Sequence, residues 1–170
     1  MKKIGLLSDT HSYLDKTLLT HFAECDEIWH AGDIGAPSVA DQLENFKPFR
    51  AVFGNIDGAA IRRRYPEHLR FEIEGLDVWI THIGGYPEKY NVRVREEIRA
   101  NPPGLFICGH SHILKAIPDK KLNLIHLNPG ACGKEGFHKM RTAMRFEIEE
   151  GRIQQLEVIE LGLRGRLKHK

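Results

Sequence analysis

The sequence lacks a long apolar run, an excess of one charge and paired cysteines. The apolar run after Lys2 and Lys3 stops at Ser8, well short of the roughly 7–15 residues of a signal-peptide core. No window approaches the roughly 20 apolar residues of a membrane span. With 25 basic and 23 acidic residues the formal charge is +2, which argues against a nucleic-acid duplex or an anionic membrane as partner. Three cysteines, an odd number without close spacing, favour a reduced cytoplasmic protein.

The length of 170 residues fits one domain that buries roughly two-thirds of its unfolded surface. We predict that this domain spans 1–163 and that the basic residues 164–170 form a solvated tail. Whether copies of the chain associate into a homo-oligomer stays open.

Strand-like and helical patterns alternate along the first third of the chain. Strands are predicted at 3–8, 27–30 and 49–53, and helices at 16–25 and 37–46. Such alternation is typical of a parallel sheet with right-handed crossovers.

The remaining two-thirds has a different pattern. A hairpin at 71–82, a helix at 91–100 and a buried strand at 104–109 are followed by strands at 113–117 and 122–127 and a hairpin at 141–161. A parallel half followed by an antiparallel half predicts an α/β fold in which two mixed sheets pack together with helices outside.

Polar residues able to bind a metal follow five of the apolar runs. They are Asp9 and His11, Asp33, Asn55, His82, and His110 and His112. Because ligands bind where the carboxyl ends of parallel strands converge, we expect these side chains to meet at one edge. In an extended chain, residues i and i+2 point the same way, so Asp9 with His11 and His110 with His112 would face one site. Gly32, Gly54 and Gly109 each precede one of these residues and would allow close backbone approach.

The size of this set favours two metal ions. Two carboxylates, four imidazoles and one amide are too many for one tetrahedral ion, but they suit two divalent ions that share a carboxylate. Ligation by nitrogen and oxygen without sulfur favours Mn, Fe, Co, Ni or Zn over Ca, and Mn is the ion we expect. Two ions and two aspartates would leave about +2 in the pocket, which attracts phosphate and acidifies a bound water.

The order and spacing of these motifs resemble the calcineurin-like metallophosphoesterases, in particular the small bacterial and archaeal phosphodiesterases related to the retromer small subunit. The motifs are "SDTHS" (8–12), "GD" (32–33), "GNID" (54–57), "TH" (81–82) and "GHSH" (109–112), and "NPG" (128–130) extends the likeness. The resemblance implies a four-layer α/β/β/α sandwich, in which two mixed sheets are flanked by helices.

The resemblance also implies a role for each motif residue. Asp9, His11, Asp33 and His112 would hold one ion; Asp33 would bridge to a second ion held by Asn55, His82 and His110. Hydroxide bound at this two-metal centre would attack the phosphorus of a small phosphoester, most simply a phosphodiester, without a covalent enzyme intermediate. Asp33, Asn55 and His110 are the expected catalytic residues.

Three departures from the family pattern bear on the substrate. Ile56 stands where larger protein phosphatases place a histidine after the Gly-Asn motif, so activity would favour good leaving groups or rely on water, and phosphoprotein substrates are disfavoured. "HIGG" (82–85) lacks the usual glycine directly after the histidine, and Ala131 replaces the usual serine after "NPG". These last two changes concern the shape of the substrate site.

Two other functions and several residues stay open. The chain could be a non-catalytic protein-binding module of the same fold, or a phosphomonoesterase. Asp57 is either a residue that orients a ligand or a turn residue, and His126 is either near the site or structural. We expect His30 to pack or form a backbone hydrogen bond, His138 to be an exposed loop residue, and the "RRR" run at 62–64 to form a solvated helix face.

Overall fold

Short apolar runs separated by polar turns build a fold rich in strands. The computed structural model describes residues 1–165. The elements, in chain order, are β1 (Lys2–Leu7), α1 (Lys16–His21), β2 (Glu27–His30), α2 (Pro37–Phe46), β3 (Phe49–Ala51), α3 (Ala59–Arg64), β4 (His68–Ile73), β5 (Leu76–Thr81), β6 (Gly85–Tyr86), β7 (Lys89–Tyr90), α4 (Val92–Ala100), β8 (Leu105–Ile107), β9 (Lys115–Asp119), β10 (Leu124–Asn128), β11 (Met140–Glu149) and β12 (Arg152–Leu163).

The first sheet has the strand order β12-β11-β1-β2-β3. Its β1, β2 and β3 are parallel, with Leu6 opposite Trp29 and Trp29 opposite Arg50. Strand β11 runs antiparallel to β1, and β12 runs antiparallel to β11. The parallel unit predicted from the first third of the chain is therefore confirmed, and the C-terminal hairpin extends the same sheet.

The second sheet has the strand order β4-β5-β8-β10-β9. Its three central strands, β5, β8 and β10, are parallel, and the edge strands β4 and β9 are antiparallel to their neighbours. Both sheets are thus mixed, as predicted, and each contains three parallel strands.

Three apolar clusters hold four layers together. Between the sheets, buried residues such as Ile4 and Trp29 face Val78 and Ile107 of the second sheet. Outside the first sheet, Leu18 of α1, Leu43 of α2 and Ile61 of α3 pack in a second cluster. Outside the second sheet, Val94 and Ile98 of α4 contact the layer of Trp79 and Phe106. This is the expected α/β/β/α arrangement.

The predicted element boundaries differ from the structure in a few places. Helix α1 ends at His21 rather than at residue 25, because the next residues close i→i−3 turns, such as Cys25 N to Phe22 O at 3.0 Å, that lead into β2. Strands β9 and β10 begin two residues later than predicted. Ile113 and Leu114, which the prediction placed in β9, are exposed in the loop after His112. The helix face expected at 62–64 belongs to helix α3, whose bounds were not predicted, and the small β6-β7 hairpin was not predicted as an element.

The expected tail begins in contact with the domain. The Arg164 backbone N–H donates to Lys139 O at 2.9 Å, and its guanidinium donates to Gly136 O. Residues 166–170, which carry most of the predicted tail, lie outside the described residues. The three cysteines are buried and free, and within 1–165 no helix is long and apolar enough to cross a membrane.

Candidate metal centre

Seven polar side chains meet at the carboxyl ends of five parallel strands. Asp9 and His11 follow β1, Asp33 follows β2, Asn55 follows β3, His82 follows β5, and His110 and His112 follow β8. Because β1, β2 and β3 belong to the first sheet and β5 and β8 to the second, the site lies where the edges of both sheets meet. The structure therefore brings together every residue that the strand-end argument selected.

The side chains form two groups, in each of which three ligand atoms lie within 4.8 Å of one another. The first group is Asp9, His11 and His112, with His112 Nε2 3.1 Å and His11 Nε2 3.6 Å from Asp9 Oδ1. The second group is Asp33, His82 and His110. Each group combines residues from the first sheet with residues from the second, so neither group can form unless the two sheets pack together.

Asp33 lies between the two groups. Its Oδ2 is 3.3 Å from His11 Nε2 in the first group and 3.1 Å from His82 Nε2 in the second. Its other oxygen accepts a hydrogen bond from the Ile56 backbone N–H at 3.0 Å. Asn55, the residue before Ile56, places Oδ1 3.1 Å from His110 Nδ1 and so borders the second group. Asp33 Oδ2 thus contacts a histidine of each group. Asp9 Oδ1 also reaches across, but its distance to His82 Nε2 in the second group is longer, at 3.7 Å.

The backbone at the site is left-handed where an extended chain was expected. Asp9 and His11 have φ values of 54° and 45°, and His110 and His112 have values of 65° and 60°. The alternation of an extended chain therefore does not place these pairs. His110 and His112 instead turn to different groups, and tight turns bring them there.

Glycines permit these turns, as the sequence suggested. Gly32 has a φ of 102°, a Cβ at Gly54 would overlap Asp33 Oδ1, and a Cβ at Gly109 would overlap Ser8 Oγ. Residues other than glycine adopt the left-handed conformation only at a cost in energy. A cluster of such residues, as at this site, is typical of a functional site.

The residues between the ligand candidates hold the loops in place. Thr10 Oγ1 donates to Ile34 O at 2.8 Å and lies 3.0 Å from His30 Nε2, while His30 Nδ1 accepts from the Gly32 N–H at 3.1 Å. His30 is fully buried, and burial lowers its pKa to about 3, so it stays neutral. The prediction that His30 packs and forms a backbone hydrogen bond is confirmed.

Asp57 connects two of the site loops through hydrogen bonds. Its buried carboxylate accepts hydrogen bonds from the N–H groups of Gly54 (2.8 Å), Gly35 (2.8 Å) and Ile34 (3.2 Å). The loop that follows Asp33 is thereby fixed to the loop that carries Asn55. Asp57 thus holds the site loops in place and also closes a turn, since its own N–H donates to Gly54 O at 3.2 Å, so it combines features of both alternatives left open by the sequence.

The charges of the site favour protonated histidines when no metal is present. The carboxylates of Asp33 and Asp9, 3.3 and 3.6 Å from His11 Nε2, raise the pKa of His11 to about 10. Burial opposes ionisation of the two carboxyl groups, yet the close histidines hold the pKa of Asp9 and of Asp33 well below the ordinary value. Burial lowers the pKa of His110. The two carboxylates therefore create a potential that attracts cations.

Unsatisfied atoms supply the test of whether a metal fits. Within residues 1–165, Asp9 Oδ1, His11 Nε2 and His82 Nε2 are buried and have no hydrogen-bond partner. His82 Nδ1 lies 2.7 Å from the Ala31 carbonyl, which can only accept, so the neutral ring donates from Nδ1 and keeps its lone pair on Nε2. Leaving such atoms unpaired costs about 1–3 kcal/mol each. Cations at this position would satisfy them, and the donor set suits divalent transition metals.

An open cleft of about 280 Å³ adjoins the second group. Asn55 and His82 form the end of the cleft at the site, and Phe53 and Ile83 supply apolar surface. Two arginines also line it: Arg62, whose guanidinium stacks on Phe53 and donates to Asp57 O at 2.6 Å, and Arg93.

The "RRR" run therefore divides. Arg62 faces the cleft, whereas Arg64 pairs with Asp41 and Glu44 on the helix surface. All three arginines are exposed on helix α3, as expected, and Arg62 additionally lines the cleft.

Comparison with known proteins gives the family. The calcineurin-like phosphoesterase superfamily domain matches residues 1–151. A probable metallophosphoesterase of Methanothermobacter thermautotrophicus is 30% identical over 139 residues, which cover 75% of this chain and 76% of that protein. The chain belongs to the calcineurin-like phosphoesterase superfamily. The resemblance inferred from the motifs is confirmed.

Two further proteins are similar to this chain, one named as an enzyme and the other a Vps29 protein. A protein of Methanocaldococcus jannaschii named as a phosphodiesterase is 24% identical to this chain. The matched region covers 76% of this chain and 84% of that protein. The crystal structure of Entamoeba histolytica Vps29 complexed with zinc superposes with a TM-score of 0.71 at 16% identity, covering 93% of this chain and 98% of that one. The second similarity shows the shared fold.

The three departures from the family pattern all lie at or beside the site. Ile56, which stands in place of a histidine, is 46% exposed beside the site. Ile83, directly after His82, lines the cleft. In the segment after "NPG", the backbone N–H groups of Cys132 and Gly133 donate to Ser8 O (2.9 Å) and Asp9 O (3.0 Å), which fastens the first site loop.

Sequence reasoning missed two polar residues at the site and left one unresolved. Ser8 donates to Asp9 Oδ2 at 2.6 Å; its position in "SDTHS" was the available signal. His138 was expected to be exposed but is half-buried, with Nδ1 3.2 Å from His112 Nδ1. The two residues are 26 positions apart, so the sequence does not reveal this contact. His126 is buried against Cys108 and Phe106, so its role is structural.

Proposed function

We propose that this phosphoesterase hydrolyses small phosphodiesters at a centre that holds two divalent metal ions. The observation that carries the proposal is the position of Asp33, whose single oxygen contacts a histidine of each group. A carboxylate in that position is suited to bridge two ions.

Each ion would have its own set of protein ligands. The first ion would be held by Asp9, His11, Asp33 and His112, and the second by Asp33, Asn55, His82 and His110. When bound, two such ions lower the pKa of water to supply a nucleophile and stabilise negative charge on the phosphoryl oxygens. Mn²⁺ is the ion we propose, with Fe, Co, Ni or Zn as alternatives that fit the same donors.

The surrounding residues hold these ligands in the required state. Ser8 and the His110 N–H donate to Asp9 Oδ2 at 2.6 and 3.2 Å, so that Oδ1 is the oxygen left free for a cation. Ala31 fixes the ring of His82 in the same way through Nδ1. Partners of this kind orient ligands and strengthen metal binding.

The adjoining cleft favours a diester over a monoester. A diester has a second substituent on phosphorus, and the cleft offers that group an apolar wall at Phe53 and Ile83 next to Asn55. Arg62 and Arg93 outnumber Glu67, which also lines the cleft and pairs with Arg93 at 3.6 Å, so the cleft has a net positive charge that attracts anionic substrates of either kind. A monoester leaves the apolar wall unused.

The decisive experiment measures metal content and turnover on the same preparation. We expect about two equivalents of Mn²⁺ to bind, hydrolysis of bis(p-nitrophenyl) phosphate that depends on the metal, and loss of that activity on chelation. Protein that binds no divalent ion from several tested would contradict the proposal and favour a protein-binding module. Faster hydrolysis of p-nitrophenyl phosphate than of the diester would favour a phosphomonoesterase.

A further inference from the structure

His138 makes a chain of hydrogen bonds behind one of the proposed ligands. Its Nδ1 lies 3.2 Å from His112 Nδ1, and its Nε2 lies 2.8 Å from the Gly133 carbonyl oxygen. The two imidazole rings meet edge to face, with centroids 5.1 Å apart. His112 Nε2, at the far side of its ring, is the atom that lies 3.1 Å from Asp9 Oδ1.

The chemistry of these atoms assigns the direction of each hydrogen bond. A carbonyl oxygen can only accept, so His138 Nε2 carries the proton and a neutral His138 has its lone pair on Nδ1. That lone pair requires a proton on the facing Nδ1 of His112. The neutral His112 ring then has its lone pair on Nε2, the nitrogen directed at Asp9.

We propose that His138 is a positioning residue that fixes His112 in the tautomer able to bind the first metal ion, an inference that rests on the proposed function. Without a partner on Nδ1, a neutral histidine distributes its proton between both nitrogens, and the form protonated on Nε2 cannot bind a cation there. His138 removes that choice and also fixes the angle of the ring.

The loop that carries His138 is itself held in place. The Gly133 N–H donates to Asp9 O at 3.0 Å. The hydrogen bonds that start at His112 and pass through His138 therefore lead back to the loop of Asp9, another proposed ligand of the first ion. At Gly136 the backbone packs against the His112 ring so closely that a Cβ would overlap Nδ1. Arg164 donates to Gly136 O and, through its N–H, to Lys139 O. His138 is therefore presented by a loop tied at several points.

The first test changes His138 and measures Mn²⁺ binding by calorimetry. His138→Phe keeps an aromatic ring of similar size but offers no acceptor, so we expect one Mn²⁺ equivalent to bind about 10–100-fold more weakly while the other is nearly unchanged. His138→Asn keeps an acceptor and should restore most of the affinity. Phe137→Ala, which alters the fully exposed neighbour, is the control for the loop and should bind as the wild type does. Circular dichroism checks that each variant is folded.

The second test reads the tautomer directly in metal-free protein, by long-range ¹H–¹⁵N correlation at about pH 8, where a free imidazole is neutral. We expect His112 Nδ1 to carry a proton in the wild type, facing an unprotonated His138 Nδ1, and to lose it in His138→Phe, where only Nε2, 3.1 Å from Asp9 Oδ1, keeps a polar neighbour. Wild-type His112 without a proton on Nδ1, or unchanged Mn²⁺ binding in His138→Phe, would overturn the inference. Wild-type protein that binds no metal would instead overturn the proposed function, and the tautomer measurement would still decide the role of His138.

Discussion

Replacing Asp33 with Asn is the sharpest single perturbation of the proposed centre. The side chain is nearly fully buried, and its Oδ1 accepts the Ile56 N–H. That donor would fix the new amide with its oxygen at the Oδ1 position, which places the NH₂ group where Oδ2 now faces His11 and His82. The variant thus keeps the shape of the residue but turns two donors toward the proposed ions.

The expected loss follows from the charge that is removed. A unit charge pair about 4 Å apart is worth about 4 kcal/mol at an effective dielectric constant of 20, and a divalent ion doubles this. Relief of the cost of burying the carboxylate offsets several kcal/mol. A net loss of about 4 kcal/mol for each ion remains, which corresponds to about 10³-fold weaker binding.

The assay is calorimetric Mn²⁺ titration together with kcat/KM on bis(p-nitrophenyl) phosphate. Both metal equivalents should weaken in Asp33→Asn, and kcat/KM should fall by about 10³-fold or more. Asp41→Asn makes the same chemical change on an exposed residue of α2 and is the matched control. If Asp33→Asn binds both ions as the wild type does, or keeps kcat/KM within about tenfold, the bridging role is refuted.

Four further predictions concern stability and the site loops. Asp57→Ala leaves three backbone N–H groups without their acceptor and should lower the free energy of unfolding, measured in urea, by about 3 kcal/mol. Gly109→Ala forces a Cβ against Ser8 and should weaken Mn²⁺ binding, measured by calorimetry, without changing the far-UV circular dichroism. The pKa of His11 is raised to about 10 in the folded metal-free protein, so the folded state holds a proton that the unfolded state loses above about pH 6.5. Its contribution to stability is present below that pH and is lost as the pH rises toward 10, which urea titrations of chelated protein should show. The pKa of His30 is lowered to about 3, so its contribution is present above about pH 6.5 and is lost at about 1.4 kcal/mol per pH unit as the pH falls.

The sequence could predict the site because the relevant side chains directly follow strands. Asp33 comes three residues after β2, and His82 comes directly after β5. Once strands are placed in parallel, their ends must meet, so a local pattern carries long-range information. The four-layer architecture came from the family resemblance, and the mixed sheets came from the change of pattern between the two parts of the chain.

The sequence could not predict how the backbone presents those side chains. The pairs Asp9 with His11 and His110 with His112 depend on left-handed turns, which neither apolar period nor residue type reveals for aspartate and histidine. Contacts between distant loops were equally hidden. His138 reaches His112 only because the loop after β10 folds over the first site loop, and no local feature of "GFHKM" signals that contact.

The distribution of burial around the centre bears on whether bound ions would serve structure or chemistry. Structural metal sites are closed by their ligands, whereas catalytic sites keep a position open. Here Asp9, Asp33 and His82 are buried at the back of the site, while Asn55 and His110 are exposed at its front. The cleft with Arg62 and Arg93 opens on that same exposed side. An ion that merely joined the two sheets would need the buried residues alone. The exposed pair beside a positively charged cleft is where an anionic substrate can approach, and this asymmetry favours a catalytic centre over a structural one.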